Sequence, residues 1–228
     1  DAMFQRGQRR LLHLPSYPFA TTRPSPGIVL DPAAFYLRDH RIHSQSVLPG
    51  AMSLELVRTA FGEAVPVTMR QILWRQPVIV EGQPVAARVD LDAAKGSFRL
   101  VTGQDTVHVM GFIAAGAEEG GHIDIEAVRS RCRKQIATQE FYAVFEPSGI
   151  AYGSSFRPVE EAFAGEVEAL TKLRLTKSVP SHFVLHPVML DGAFQSCALL
   201  LRGLGSETAV PFALESLEVL RPTGDEMW

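Results

Sequence analysis

Cysteine is scarce in this chain, and its scarcity excludes a disulfide-stapled protein. The 228 residues include only Cys132 and Cys197, which are too few for a disulfide framework and have no metal-ligand spacing around them. Two thiols in separate contexts fit a reducing compartment, because disulfides persist mainly outside the cytosol. We therefore expect a cytoplasmic protein whose stability comes from a packed core.

Long apolar runs and an excess of positive charge are also absent. No stretch approaches the roughly 20 apolar residues that a helix needs to span a bilayer. The formal net charge is −3, whereas nucleic-acid-binding domains usually carry a basic patch. Hydrophobic residues still make up 46% of the chain, which is enough for a sizeable core. The composition predicts a globular chain whose partner is neither a membrane nor a nucleic acid.

Proline interrupts the first 26 residues repeatedly. Because proline fixes φ and removes a backbone donor, such a segment can form neither a helix nor a central strand. We predict that residues 1–26 are a linker from a preceding domain, extended over a neighbouring surface. Its prolines are Pro15, Pro18, Pro24 and Pro26.

The next part of the chain predicts one helix followed by an antiparallel sheet. Residues 49–64 start with proline, which is favoured at the first helical position, and carry apolar residues over most of the helix surface. Strand-like runs follow, separated by short Gly- and Pro-containing turns that favour hairpins over parallel crossovers. These runs are 65–72, 76–80, 85–91, 97–100 and 106–112.

The second part repeats this architecture with little sequence identity. A small, Gly-rich connector at 114–121 separates the two parts. Residues 123–145 are predicted to be helical, with a break near Thr138, which would cap the second piece. The remaining predicted elements are strands at 159–165 and 167–175, a Pro-started helix at 187–201 and a strand at 210–220.

The two parts together predict an α+β protein. A helix-on-sheet unit that occurs twice can join its sheets edge to edge, with the two helices side by side. We place the first unit at residues 27–118 and the second at 119–228. Because the second unit has fewer strands, we expect its C-terminal strands to be missing and one sheet edge to be unpaired, which proteins normally avoid.

His40 is the first candidate for chemistry. It lies in a polar loop nine residues before Pro49, and Gly50 follows at the predicted helix start. A helix N-terminus presents free N–H groups and the positive end of the dipole. A base beside it can therefore take a proton next to a carbonyl that the helix polarises. A histidine before a helix is also commonly a surface or capping residue, and the loop alone leaves both interpretations open.

Asp191 and Gln195 are the second candidate group. They are four residues apart in an otherwise apolar helix, so they lie on one face. Burial would raise the pKa of Asp191 and keep it protonated, as an acid requires; alternatively, it is a first-turn residue stabilised by the helix dipole. Tyr152 begins a Tyr-Gly loop that can direct a phenol into a cleft. His43 is close to His40, but no third metal ligand is suitably spaced, so no metal is expected.

Taken together, these stretches resemble the dehydratase domain of modular polyketide synthases. The family's His-x-x-x-Gly-x-x-x-x-Pro motif is matched by His40 and Pro49, with Ser44 at the glycine position. Its Tyr-Gly-Pro motif is matched by residues 152–154, which are Tyr-Gly-Ser. Its His-Pro-x-x-Leu-Asp-x-x-x-Gln motif is matched by His186, Pro187, Leu190, Asp191 and Gln195.

The resemblance implies both a fold and a reaction. The fold is a double hotdog, in which two antiparallel sheets, each wrapped on a central helix, lie side by side. The reaction is that of a hydro-lyase, which dehydrates a 3-hydroxyacyl thioester on an acyl carrier protein to the 2-enoyl thioester. His40 would be the general base, Asp191 the general acid, and the Gly50 N–H the donor to the thioester carbonyl. Gln195 and Tyr152 would orient the acid or the substrate hydroxyl.

The resemblance also implies the surroundings of the site. Pro49 would support the helix start that presents Gly50. The substrate would be carried on the phosphopantetheine of the carrier protein, with no metal, nucleotide or flavin cofactor. Neighbouring synthase domains and a second copy of the chain would be the other partners, and antibiotic or other secondary metabolism the setting.

Two departures from the family motifs leave alternatives open. Ser44 replaces a glycine, which reaches some backbone angles more easily than serine does, and Ser154 replaces a proline that would stiffen the loop. Related domains that isomerise a double bond or close a ring also depart from these motifs, but the residue they most commonly lose is the aspartate, which is present here as Asp191. A catalytically silent domain is a further alternative, and a hotdog thioesterase fits the order of the three motifs less well.

Overall fold

A computed structural model of the chain describes residues 22–24, 27–62, 65–117, 120–177, 179–201 and 211–228. Most of the predicted linker, 1–21 and 25–26, lies outside the described residues. The strands are β1 (Thr22–Pro24), β2 (Ile28–Leu30), β3 (His40–Ile42), β4 (Gln45–Ser46), β5 (Val67–Trp74), β6 (Val85–Asp92), β7 (Ser97–Thr102), β8 (Thr106–Ala115), β9 (Lys134–Ile136), β10 (Ile150–Tyr152), β11 (Val159–Ala164), β12 (Ala169–Arg174), β13 (Ala213–Val219) and β14 (Glu226–Met227). The helices are α1 (Phe35–Arg38), α2 (Gly50–Phe61), α3 (Ile125–Arg131), α4 (Thr138–Ala143) and α5 (Pro187–Ser196).

Helix α2 packs on the larger sheet. The sheet is antiparallel with the strand order β1-β6-β7-β8-β5-β13, and β2 also pairs with β6. Leu54 and Val57 of α2 are fully buried in one cluster with Met69, Val89 and Leu100 of the strands. Each such side chain contributes about 1.5–3 kcal/mol relative to exposure, so burial of this helix face holds the first unit together.

The ends of α2 differ from the prediction of 49–64. Pro49 is the N-cap and Gly50 the first helical residue, whereas the prediction made Pro49 the first helical residue. The helix ends at Phe61 because Gly62 takes the left-handed conformation, with φ of 83°, which only glycine adopts without cost. The backbone N–H of Gly62 bonds the carbonyl of Arg58 there.

Helix α5 packs on a second, four-stranded sheet, whose strand order is β14-β12-β11-β9. Met189 of α5 shares a buried cluster with Phe141, Val159 and Leu173. His186 caps the helix, because its Nδ1 accepts the N–H of Val188. The two predicted helix-on-sheet units are therefore both present, and the α+β prediction is confirmed.

Three predicted elements were wrong in detail. Residues 123–145 are not one broken helix, because strand β9 separates α3 from α4 and pairs with β11. Ala137, not Thr138, is the N-cap of α4. Residues 76–80 form no strand of the sheet; Val78 and Val80 instead bond Leu48 and Ser46 beside the His40 loop. Local apolar pattern does not distinguish a strand in a sheet from a segment that covers a loop.

The two units are joined by strand pairing across the predicted boundary. Strand β13, from the second unit, pairs antiparallel with β5 over residues 213–219 and 67–73. Strand β10, also from the second unit, pairs with β3 of the first. Helices α2 and α5 lie side by side. The boundary between residues 118 and 119 stays a prediction.

Candidate active site

His40 is the first residue of β3 and is buried, with only 6% of its surface exposed. Its Nδ1 lies 2.9 Å from the carbonyl oxygen of Val47, at the far end of the same loop. Because a carbonyl can only accept, Nδ1 carries the proton and a neutral ring keeps its lone pair on Nε2. That nitrogen lies 4.0 Å from Oδ1 of Asp191. The loop therefore presents a histidine with a free lone pair to a buried carboxyl group.

Asp191 lies in the second turn of α5 and is 5% exposed. Burial raises its pKa above the ordinary value. This effect exceeds the opposing effects of a positive charge on His40, present when that ring is protonated, and of a hydrogen bond from Gln195. The folded protein thus favours the protonated, acidic form of this carboxyl. The alternative of a first-turn aspartate stabilised by the dipole does not fit, because the first turn is residues 187–190.

Gln195 lies one turn beyond Asp191 and holds its carboxyl group. The amide Nε2 donates to Oδ2 of Asp191 at 2.8 Å and to the carbonyl of Phe156 at 3.0 Å. Since the Phe156 carbonyl requires a donor, the orientation of the amide is determined. Its Oε1 is buried and has no hydrogen-bond partner among the described residues, which leaves one acceptor of the site unused.

Tyr152 pairs directly with His40 in the β3–β10 ladder. The centroids of the two rings are 5.7 Å apart. Burial raises the pKa of Tyr152, and the nearby Asp191 adds to this shift, so the phenol stays neutral. The residue after it must be small, since a Cβ on Gly153 would lie 2.6 Å from Cγ of Asp39.

Asp39 explains this close approach. Its backbone carbonyl accepts the N–H of Gly153 at 2.8 Å, and its Oδ2 accepts the N–H of Ser155 at 3.2 Å. Asp39, the residue before His40, thus fixes the position of the loop that carries Tyr152. Ser154, at the family's proline position, begins a short 3-10 turn inside this tied loop.

The start of α2 forms another part of the site. Gly50 has no acceptor for its backbone N–H among the described residues, as expected for a first-turn N–H group. The indole of Trp74 packs against it so closely that a Cβ on Gly50 would lie 3.0 Å from the indole nitrogen. That nitrogen donates to Oγ of Ser53, which donates to the Gly50 carbonyl at 2.6 Å. Pro49, the N-cap of α2, is not among the residues that line the cavity.

A cavity of about 530 Å³ brings five of the six predicted site residues together. Its wall is completed by side chains that sequence reasoning missed, including Trp74 and Phe194, whose rings meet edge to face at 6.0 Å. Trp74 follows an irregularity in β5, where Gln71 has φ of 49°, and no pattern in the sequence reveals such a bulge. The five predicted residues are His40, Gly50, Tyr152, Asp191 and Gln195.

The described part of the chain contains neither a metal-binding cluster nor a membrane-spanning helix. No cluster of three or more His, Cys, Asp and Glu side chains within them is arranged to hold a metal ion. None of the helices in this part of the chain is long and apolar enough to cross a membrane.

Two family models match the chain, one on each side of the Gly-rich connector. Residues 27–109 match "Polyketide synthase dehydratase domain". Residues 122–228 match "Polyketide synthase dehydratase N-terminal domain". Both units of the fold thus match models of the same kind of domain.

Curated relatives are much longer than this chain. Polyketide synthase PksN of Bacillus subtilis (strain 168) is 31% identical over 219 residues, which are 86% of this chain and 4% of the relative. Polyketide synthase ThaG of Burkholderia thailandensis is 28% identical over 270 residues, covering 96% of this chain and 5% of the relative. The chain therefore spans only a small part of the proteins it matches.

Solved structures match over most of their own length. A trans-AT PKS dehydratase domain from Brevibacillus brevis is 28% identical with a TM-score of 0.80, covering 88% of this chain and 78% of that chain. An inactive His-to-Phe mutant of CurJ dehydratase, in complex with a compound, is 26% identical with a TM-score of 0.79. The match covers 88% of this chain and 76% of that chain.

Proposed function

Because the chain belongs to the polyketide synthase dehydratase domains and has their double hotdog fold, we propose that it removes water from a 3-hydroxyacyl thioester. The product is the 2-enoyl thioester, and the reaction class is that of a hydro-lyase. The observation that carries the proposal is the 4.0 Å approach of His40 Nε2 to Asp191 Oδ1 inside one cavity. A histidine base and a carboxylic acid at that distance can act on adjacent carbons of one substrate.

The first half of the reaction is removal of the α-proton. His40 Nε2 takes this proton with its lone pair, and the Val47 carbonyl bonded to Nδ1 keeps the ring in the required tautomer and orientation. The electron pair of the broken C–H bond moves toward the thioester carbonyl. The Gly50 N–H, at the positive end of α2, stabilises the negative charge that develops on that oxygen.

The second half is loss of the β-hydroxyl group. The electron pair returns to form the double bond, and the C–O bond breaks as Asp191 donates its proton to the departing oxygen, which leaves as water. Gln195 holds the carboxyl of Asp191 from the other side. The products of these steps on the protein are a protonated His40 and an ionised Asp191. Transfer of one proton between these neighbours restores the starting state.

The surroundings of this reaction are part of the proposal. We propose that the substrate is carried on the phosphopantetheine of an acyl carrier protein, that neighbouring synthase domains and a second copy of the chain are its partners, and that it acts in the cytoplasm. The steps above need no metal, nucleotide or flavin. The His-to-Phe mutant of CurJ dehydratase is inactive, which supports the proposal that a domain of this kind depends on a histidine.

The proposal is tested by turnover of a 3-hydroxyacyl thioester of a small pantetheine mimic. His40→Ala and Asp191→Asn should each lower turnover by about 100-fold or more, the usual contribution of a positioned acid or base. His122→Ala and Asp105→Asn, at exposed positions, are matched controls that should retain activity. Full turnover by either site variant would overturn the assignment.

Product analysis separates dehydration from the activities of related domains. Incubation with an enoyl thioester tests for a shifted double bond, and incubation with a hydroxy-enoyl thioester tests for ring closure. If the protein shifts the double bond or closes a ring but forms no enoyl product from the hydroxyacyl substrate, the proposed dehydration is wrong. The protein is then an isomerase or a cyclase. If it converts none of the three substrates, it is a catalytically silent domain.

A further inference from the structure

A buried ion pair lies on α2, outside the cavity. Glu55 is 3% exposed and Arg58 is 8% exposed. The guanidinium group donates from Nε to Oε2 at 2.7 Å and from Nη2 to Oε1 at 2.9 Å, so the pair is bidentate. Neither residue is among those that line the cavity, and the proposed reaction does not use them.

The Glu55 carboxylate also bonds a segment almost 130 residues away. Its Oε1 accepts the backbone N–H of Val184 at 3.2 Å, and its Oε2 accepts that of Leu185 at 3.0 Å. The next residue, His186, is the N-cap of α5. One side chain on the helix that presents Gly50 thus holds the segment that leads directly into the helix that carries Asp191.

Stability alone does not explain this arrangement. Buried ion pairs are on average no better for stability than well-packed apolar side chains of similar volume, because desolvation of the two charges offsets their attraction. What apolar side chains cannot supply is a set of acceptors for the two backbone N–H groups. Glutamine cannot supply the full set either, since one of its two terminal atoms is itself a donor.

We infer that Glu55 is a positioning residue, which sets the location of α5 relative to α2 through its bonds to the N–H groups of Val184 and Leu185. This inference rests on the proposed function. The reaction needs the Gly50 N–H and the Asp191 carboxyl at fixed positions on two different helices. A displacement of about 1 Å in such a site can lower the rate by roughly 100-fold. Glu55 keeps the two helices in the productive arrangement.

The test compares two variants by turnover and by thermal unfolding. Glu55→Gln should lower kcat by about 10- to 100-fold while leaving KM within about twofold. In the double variant Glu55→Leu with Arg58→Leu, apolar packing should offset the loss of the ion pair. The two backbone N–H groups still have no acceptor, so kcat should remain about 10- to 100-fold below that of the parent. Glu168→Gln, which removes an exposed bidentate pair with Arg131, is the control and should leave kcat unchanged.

The outcomes separate this inference from the proposed function. If the double leucine variant folds and keeps the parent's kcat, whatever its melting temperature, the pair has only a structural role and the inference is overturned. The double variant decides the question even if Glu55→Gln does not fold. A parent protein without dehydratase turnover would overturn the proposed function itself, and the positioning role with it.

Discussion

Tyr152 lies directly opposite His40 in the short antiparallel ladder of β3 and β10. The two residues are 112 positions apart in the chain but are direct neighbours across two strands. Alternate residues of a strand point to opposite faces, so this register determines that both rings face the same cavity. The pairing also means that the catalytic loop of the first unit and the Tyr-Gly loop of the second are held by one set of backbone bonds.

The buried carboxyl of Asp191 should make stability depend on pH. Because burial raises its pKa in the folded protein, the folded state keeps a proton that the unfolded state has already released. The free energy of unfolding therefore falls as pH rises from the unfolded pKa to the folded pKa. Asp191→Asn cannot ionise, so it should become more stable than the parent as pH increases through this window. Urea unfolding of both proteins between about pH 3 and pH 8 measures their free energies of unfolding. If the difference between the two free energies does not change with pH, the raised pKa of Asp191 is contradicted.

Ser44 should be a site where glycine stabilises the fold. It has φ of 67°, a left-handed conformation that costs a non-glycine residue about 1 kcal/mol or more. Glycine removes this cost but loses part of the gain through greater freedom of the unfolded chain. Ser44→Gly should thus raise the free energy of unfolding by about 0.5 kcal/mol, measured by urea titration. The neighbouring Gln45→Gly, in strand β4, should lower it; if both variants behave alike, backbone strain at Ser44 is not the cause.

Gly153→Ala should damage both stability and catalysis. The added Cβ would lie 2.6 Å from Cγ of Asp39, so Asp39 or the loop must move, at a typical overpacking cost of about 1–3 kcal/mol. Since the same loop carries Tyr152, we also expect lower kcat. Gly121→Ala is the matched control, because nothing lies within 4 Å of its added Cβ. Equal melting temperatures for the two variants would show that the loop tolerates the methyl group.

Gln195→Leu should move the alkaline side of the pH–rate profile to higher pH. The hydrogen bond from Gln195 lowers the pKa of Asp191, so its removal raises that pKa further and keeps the acid protonated to higher pH. The variant should also be less stable by about 1–3 kcal/mol, because the buried carbonyl of Phe156 loses its donor. The pH dependence of kcat measures the shift, and a profile moved toward lower pH would contradict it.

Site residues that lie within one helix or at its start could be predicted from their spacing in the sequence. The four-residue separation of Asp191 and Gln195 placed both on one face of α5, and the proline before Gly50 marked the start of α2. Asp39 and Trp74 were not predicted, because their positions depend on a contact across 114 residues and on a bulge in β5. Strand β9 was missed for a similar reason: a three-residue strand is defined by its partner β11 rather than by its own pattern.

Strand β13 belongs to the second unit in sequence but to the sheet of the first unit in space. It follows α5 in the chain, yet it forms the edge of the sheet that packs on α2, with its partners in β5. In a chimera of two synthases with a junction between residues 118 and 213, side chains inherited from different parents would face each other across that ladder. The cross-strand side-chain pairs of β5 and β13 would then combine residues from two different parents, although such pairs contribute to the stability of the sheet. Exchange of the whole domain keeps each strand with its original neighbour.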